Sequence, residues 1–165
     1  MVQEVRVVDE KVAAVPATKQ ALRLWLRLFS STTMIEQRLR NFLKDRFDTT
    51  LPRFDLMAAL YRAEDGLTMG ELSRWLLVSN GNVTGVAERL EKEGLITRRP
   101  APNDRRSQIV TMTPAGRAAF EGWAREHEEW ISDIFADFST KEMDAFMALL
   151  VKAKESVIKH DKKGK

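Results

Sequence analysis

At Gly94 the spacing of apolar residues changes character, and no single class of secondary structure accommodates both sides of it. Upstream, Val83, Val86, Ala87 and Leu90 recur at the three-and-four spacing of a helix. Downstream, LITRR and SQIVTM are short runs of β-branched or strand-compatible residues separated by the turn-forming PAPNDR. Gly94 itself sits where a helix closes in a left-handed conformation, which glycine adopts without a steric penalty. The segment therefore predicts a helix followed at once by a two-stranded hairpin with a long tip.

Working outward from this junction, the same periodicity places the remaining helices. Leu22, Trp25, Leu26, Phe29, Ile35, Leu39, Phe42 and Leu43 mark one long amphipathic helix from Thr18 to about Phe47. Pro52, suited to a first turn because its missing N–H costs nothing there, opens a second through Phe54, Met57, Leu60 and Tyr61. The EDG at Glu64–Gly66 ends it. Thr68 and Glu71 have the spacing of a capping box, so a third helix begins near Met69 with Leu72 and Leu76 on its buried face. LLVSNGN then interrupts the period, with Ser79 placed to cap a fourth helix. Beyond the hairpin, Thr113 and Pro114 start a helix whose apolar stripe runs Phe120, Trp123, His127, Trp130, Ile131, Ile134 and Phe135. Ser139 and Glu142 form a second capping box, with Phe138 and Met143 as a hydrophobic staple, before a last helix through Phe146, Leu149, Leu150, Ala153 and Val157. The expected fold is mainly α with a small β-hairpin. Residues 1–17 are left open between a disordered arm and an element that packs on a partner.

Several function classes drop out. The chain has 165 residues, 44% of them hydrophobic, enough for one domain with helical extensions, and no cysteine, which removes disulfides, zinc-thiolate sites and thiol-based redox sensing. His127 and His160 are far apart without acidic neighbours at ligand spacing, so no metal is expected. No nucleophile, base and orienting group stand together, and the glycines form no phosphate loop, so neither an enzyme nor a cofactor is expected. No apolar run is long enough to span a membrane and the N-terminus carries acids among its valines, so the cytoplasm is the expected location.

The charge distribution is more informative than its sum. Net charge is +3, and residues 97–107 alone carry Arg98, Arg99, Arg105 and Arg106 against Asp104, leaving the other residues neutral in total. The lysines of the tail, 160–165, read as a solvated end. Four arginines on one hairpin repel one another unless their neighbour is a polyanion whose counterions they displace. Asp104, two residues before Arg106, is placed to hold that guanidinium ready. The helix pair before it has the shape of a helix-turn-helix, with the second helix entering a major groove and the hairpin reaching flanking phosphate or minor groove. At the start of that second helix Ser79, Asn80, Asn82 and Thr84 offer hydrogen-bonding groups without charge, asparagine suiting the adenine edge. Gly81 and Gly85 leave room for close approach of backbone to DNA, or for packing against another helix. Arg89 lies further along the exposed face, while Glu88, Glu91 and Glu93 read as solvated. Candidate DNA-contacting residues are thus Ser79, Asn80, Gly81, Asn82, Thr84, Arg89, Asp104, Arg105, Arg106 and Ser107. A competing reading is a protein-interaction module whose basic hairpin binds an acidic partner.

Met69–Gly116, with RLEKEGLITR, the aspartate-x-arginine of Asp104 and Arg106, and MTPAG in order, resembles the winged-helix core of MarR-type transcriptional regulators. The resemblance implies an N-terminal arm over 1–17, a winged helix-turn-helix DNA-binding domain over 52–112, and a helical dimerisation region over 18–51 and 113–159. It further implies a homodimer on a palindromic double-stranded DNA operator, acting as a repressor released by a small-molecule effector. In the family the effector pocket lies where dimerisation helices meet the reading domain, and by position Trp25, Phe29, Phe54 and Met57 would line it. LPRFDLM and NGNVTGV resemble members responding to aromatic acids or their CoA thioesters, with Arg27 or Arg53 expected to meet the acid or phosphate.

Overall fold

The computed structural model describes residues 10, 12–76, 80–101 and 104–161, and only the backbone of residues 80, 104–106 and 161. The chain divides into two compact units, Met1–Phe120 and Glu121–Lys165.

In the first unit, helix α1 (Gln20–Phe47) ends at Asp48, whose φ of 46° is left-handed, a conformation a short polar side chain tolerates. The reversal lets Thr49 N–H reach the Leu43 carbonyl at 3.3 Å and aims the chain into α2 (Leu51–Tyr61). α2 is the most apolar wall of the core: Phe54, Leu56, Met57, Ala59 and Leu60 are all buried. Strand β1 (Leu67–Thr68) leads directly into α3 (Met69–Leu76), started by the expected capping box. Glu71 Oε2 accepts from Thr68 N–H at 2.8 Å and Oγ1 at 2.7 Å, and Thr68 Oγ1 accepts from Glu71 N–H at 3.2 Å. α4 (Asn80–Lys92) inserts Val83, Ala87 and Leu90, which lie on one side at helical spacing and are buried.

Gly94, at φ 73°, ends α4 as expected: Leu95 N–H bonds to Leu90 O and Gly94 N–H to Glu91 O, each at 2.9 Å, the paired pattern of a Schellman closure. Strands β2 (Ile96–Ala101) and β3 (Asp104–Met112) follow, running antiparallel from Ile96↔Met112 to Ala101↔Asp104 with a register shift at Pro100/Ala101. A third strand joins the two-stranded hairpin. β1 pairs with the other side of β3, Leu67↔Val110 and Thr68↔Ile109, giving the order β1-β3-β2. Two residues long and adjoining a capping box, β1 carries no period-2 signal to be read from sequence. Pro100 is accommodated because β2 lies at the sheet edge, where a missing N–H breaks no ladder. Ile96 and Val110 anchor the hairpin base in the core.

α5 (Pro114–Ile134) begins at Thr113, whose Oγ1 accepts from Gly116 N–H at 2.9 Å and donates to Gly94 O at 2.7 Å. Gly116 has no substitute there, since a Cβ would lie 1.9 Å from the Leu95 carbonyl oxygen. Further along, Phe120 closes the core, its ring 5.4 Å from Phe54 and 5.1 Å from Tyr61.

In the second unit α5 continues to Ile134, with His127 and Trp130 stacked 6.3 Å apart, and α6 (Thr140–Asp161) is started by the second capping box. Glu142 Oε2 accepts from Ser139 N–H and Oγ at 2.9 and 2.6 Å. Phe138 makes ring contacts with Phe135 and Phe146 at the start of α6. Phe146, Met147, Leu149, Val151, Val157 and Ile158 along α6 are exposed. None of the described helices is long and apolar enough to cross a membrane.

Candidate nucleic-acid interface

α3 and α4 form a helix-turn-helix whose second helix presents distinct faces. Val83, Ala87 and Leu90 point into the core, which leaves Gly81, Asn82, Thr84, Gly85 and Arg89 exposed. A Cβ built on Gly81 or Gly85 meets nothing within 4 Å, so neither glycine packs against another of the described helices. The surface is instead a strip of bare backbone flanked by short polar side chains. Asn80 begins the helix, with its side chain outside the described residues, and Ser79, expected as the cap, lies outside them altogether.

Beside this helix the β2–β3 hairpin projects as a wing. The backbone of Asp104, Arg105 and Arg106 belongs to β3 rather than to the expected loop, and Ser107 is partly buried. The side chains of Asp104–Arg106 are outside the described residues, so the expected Asp104 to Arg106 contact is too.

The carboxylates at the end of the reading helix depart from expectation. Glu91 and Glu93 are not merely solvated. Glu91 Oε2 accepts from Arg98 Nε at 2.7 Å and also from Arg98 Nη2, while Glu93 pairs with Arg53 Nη2 of α2. The Arg98 hydrogen bonds hold the Glu91 carboxyl below the usual carboxylate range, and those same bonds raise Arg98. Arg98 is thereby engaged inside the domain, so the hairpin offers fewer arginines to a polyanion than its composition implies. Glutamates five and three residues before an arginine-rich strand carried a signal for this, but only the turn at Gly94 brings Glu91 and Arg98 together.

A cleft of about 630 Å³ lies along the same strip of α4, bounded by Glu36 and Arg40 of α1, Arg53 and Asp55 of α2, and Gly81, Asn82, Gly85 and Arg89 of α4. Arg40 bonds Glu36 one turn away through Nε at 3.1 Å and Nη2 at 2.6 Å. Burial raises the Asp55 carboxyl above its ordinary value, with Arg40 opposing and Glu36 adding to the effect. Sequence reading placed Arg53 near an effector but missed this cleft, whose walls come from three helices far apart in the chain.

The four residues expected to line an effector pocket are divided by the structure. Trp25 and Phe29 stack at 5.5 Å and are more than half exposed, whereas Phe54 and Met57 are buried in the core. None of the four borders the cleft beside α4. Phe54 is held by the Phe120 ring, which accounts for its burial. Among the described residues no group of three or more histidine, aspartate or glutamate side chains is arranged to hold a metal.

Residues 47–107 match the MarR family model. The chain is 30% identical to the transcriptional activatory protein BadR of Rhodopseudomonas palustris, over 86% of this chain and 82% of that protein. It is also 30% identical to a MarR family transcriptional regulator from Silicibacter pomeroyi, whose crystal structure superposes with a TM-score of 0.72 over 87% of this chain and 99% of that one. The fold is shared with a MarR family regulator from Streptomyces coelicolor solved in complex with DNA, at 20% identity, TM-score 0.75, and 86% and 89% of the two chains. Helix-turn-helix, wing and flanking helices together with these likenesses place the chain in the MarR family of winged-helix, DNA-binding transcriptional regulators, which are not enzymes.

Proposed function

We propose that the protein binds a palindromic operator as a homodimer, placing Asn80, Gly81, Asn82, Thr84 and Arg89 of each α4 at a major groove and Arg105, Arg106 and Ser107 of each wing on the flanking DNA. The observation that carries this reading is the division of α4 into a buried apolar face and an exposed, uncharged N-terminal strip of glycine, asparagine and threonine. Such a strip contributes little to attraction for phosphate and much to hydrogen bonding with base edges. The homodimer is supported by apolar residues left exposed on a single chain, Phe146, Met147, Leu149 and Ile158 on α6 and Leu22, Leu24, Trp25 and Phe29 on α1. A second copy covering them would hold two reading helices about 34 Å apart, one turn of DNA.

The operator-bound dimer acts as a repressor, released by a small molecule of the aromatic acid or CoA thioester class. The name of the Rhodopseudomonas palustris relative records activation, so the sign is read from a reporter fused to the adjacent promoter. The deciding experiment is fluorescence anisotropy with DNA from upstream of the protein's own gene against scrambled DNA of equal length, with and without aromatic acids and acyl-CoA thioesters. Selective binding relieved by one compound class supports the reading. Equal weak binding to both DNAs counts against it.

A further inference from the structure

Near the middle of α1 the sequence runs Ser30, Ser31, Thr32, Thr33, inside a helix of 28 residues. Serine and threonine form helices less readily than leucine or arginine, and the branched threonine loses side-chain freedom against the preceding turn. Here the hydroxyls also turn back on the helix. Ser30 Oγ donates to Leu26 O at 2.7 Å, Thr32 Oγ1 to Leu28 O at 2.9 Å and Thr33 Oγ1 to Phe29 O at 2.8 Å. In an α-helix each of these carbonyls is also the acceptor for the main-chain N–H of the same residue, so a backbone bond shares its acceptor with a side chain, an arrangement that weakens and bends helices.

The two halves of α1 on either side of this segment are held differently. After it, Arg40 bonds Glu36, Gln37 bonds Asn41 at 3.4 Å, and Lys44 and Arg46 complement the helix C-terminus. Leu43 is fully buried just before the Asp48 reversal into α2, so this half belongs to the body of the reading domain. Before the segment, the first turn carries no acidic residue, Lys19 makes no side-chain cap, and Lys19, Arg23 and Arg27 set like charges one turn apart. Leu22, Leu24, Trp25 and Phe29 of that half are exposed on the single chain.

We propose that Ser30–Thr33 is a flexural joint in α1, about which each reading domain swings relative to the N-terminal half of the helix held by the second copy, so that the separation of the two reading helices adapts to the DNA. The inference rests on the homodimer reading and adds to it the place where the dimer yields. A carbonyl that tilts away from its main-chain N–H here keeps a hydroxyl as a second donor, so bending costs less than in a segment where the N–H is the sole donor. Small bends suffice. The stretch Met34–Phe47 is about 21 Å long at 1.5 Å per residue, so a bend of about 10° displaces its far end by about 3.5 Å, close to the rise of one base pair.

The test uses the full chain, which has no cysteine, so Glu88→Cys on the exposed surface of α4 gives one spin-labelling site per copy. Pulsed electron paramagnetic resonance on the labelled dimer is expected to give a broad distribution of label-to-label distances that narrows on a duplex selected by the protein from a random pool. Ser30→Ala, Ser31→Ala, Thr32→Ala and Thr33→Ala combined are expected to narrow the distribution without DNA, and Thr32→Gly to widen it. Amide exchange over residues 30–36 is expected to slow about tenfold in the alanine variant, following its higher helix propensity. Ser132→Ala removes an equivalent hydroxyl-to-carbonyl bond on α5 and is expected to leave the distances as in the parent. A merely structural role for the segment would slow exchange in the alanine variant and leave the width of the distance distribution unchanged. The proposal is overturned by that result, or by a parent distribution as narrow in free solution as on DNA. If the alanine variant fails to fold, Thr32→Gly decides, an unchanged width counting against the joint. Sedimentation of the same samples separates the two readings: a dimer with unchanged widths overturns the joint alone, whereas a monomer overturns the homodimer reading and the joint with it.

Discussion

Glu91 and Arg98 are seven residues apart, one near the end of the reading helix and the other in the first wing strand, and one carboxylate oxygen of Glu91 takes two N–H groups of Arg98. The pair fixes the angle between the two elements proposed to touch DNA. A wing that swings freely must be ordered on binding, and that entropic cost is subtracted from affinity.

Glu91→Gln is therefore expected to weaken binding to a selected duplex by roughly 1 kcal/mol, the scale of a partly exposed charged hydrogen bond, with helix content unchanged by circular dichroism. The carboxyl is held below its ordinary value by Arg98, so its stabilising contribution is complete above the unfolded pKa and is lost as pH falls through the lower folded value. Loss of this acid-side contribution in the variant, followed by urea unfolding at several pH values, checks the assignment.

Asp55 has the opposite sign. Burial raises its carboxyl, so the folded chain holds a proton that the unfolded chain has released, and stability falls as pH rises through the folded value. In Asp55→Asn this dependence disappears, and near neutral pH the variant unfolds at equal or higher denaturant concentration than the parent. An unaltered slope of stability against pH above about 4, the ordinary aspartate value, would show that another group sets it.

The glycines separate stability from function. Gly116→Ala brings a Cβ to 1.9 Å from the Leu95 carbonyl oxygen, a backbone atom that cannot rotate away, so a loss of about 1–3 kcal/mol is expected in chemical denaturation. Gly81→Ala and Gly85→Ala meet open space and are expected to stabilise α4 by about 1 kcal/mol each while weakening DNA binding. Unchanged DNA affinity in both would remove that strip from the interface.

How much of this was readable in sequence depends on how local each determinant is. The capping boxes of Thr68 with Glu71 and Ser139 with Glu142, the closure at Gly94 and the Thr113 start of α5 are settled within a few residues, and all appear as expected. β1 was missed because two residues gain strand character only from a partner some forty residues away. Phe54 and Met57, which the family resemblance places at a pocket, are buried in this chain, with the Phe120 ring against Phe54. The pairs of Glu91 and Glu93 escaped notice for the same reason, since helical periodicity says which side chains are outward but not which strand or helix lies opposite them.

The arginines of the wing give the sharpest separation between composition and structure. Arg98 is bonded to Glu91, whereas Arg106 lies on β3 near the Ala101↔Asp104 end of the hairpin, away from the Ile96↔Met112 base. If both contacted phosphate, replacing either with alanine would reduce the slope of log affinity against log salt by about 0.9, the counterion release of one contact. We expect Arg106→Ala to lower affinity and flatten the slope by about this amount. Arg98→Ala is expected to lower affinity with little change in slope, because it removes a positioning contact and leaves Glu91 as an unpaired charge near the DNA. Anisotropy titrations of the two variants at several salt concentrations decide it. Equal flattening in both would mean that Arg98 leaves Glu91 for phosphate when DNA is bound, and an unchanged slope for Arg106→Ala would remove that residue from the phosphate-contacting set.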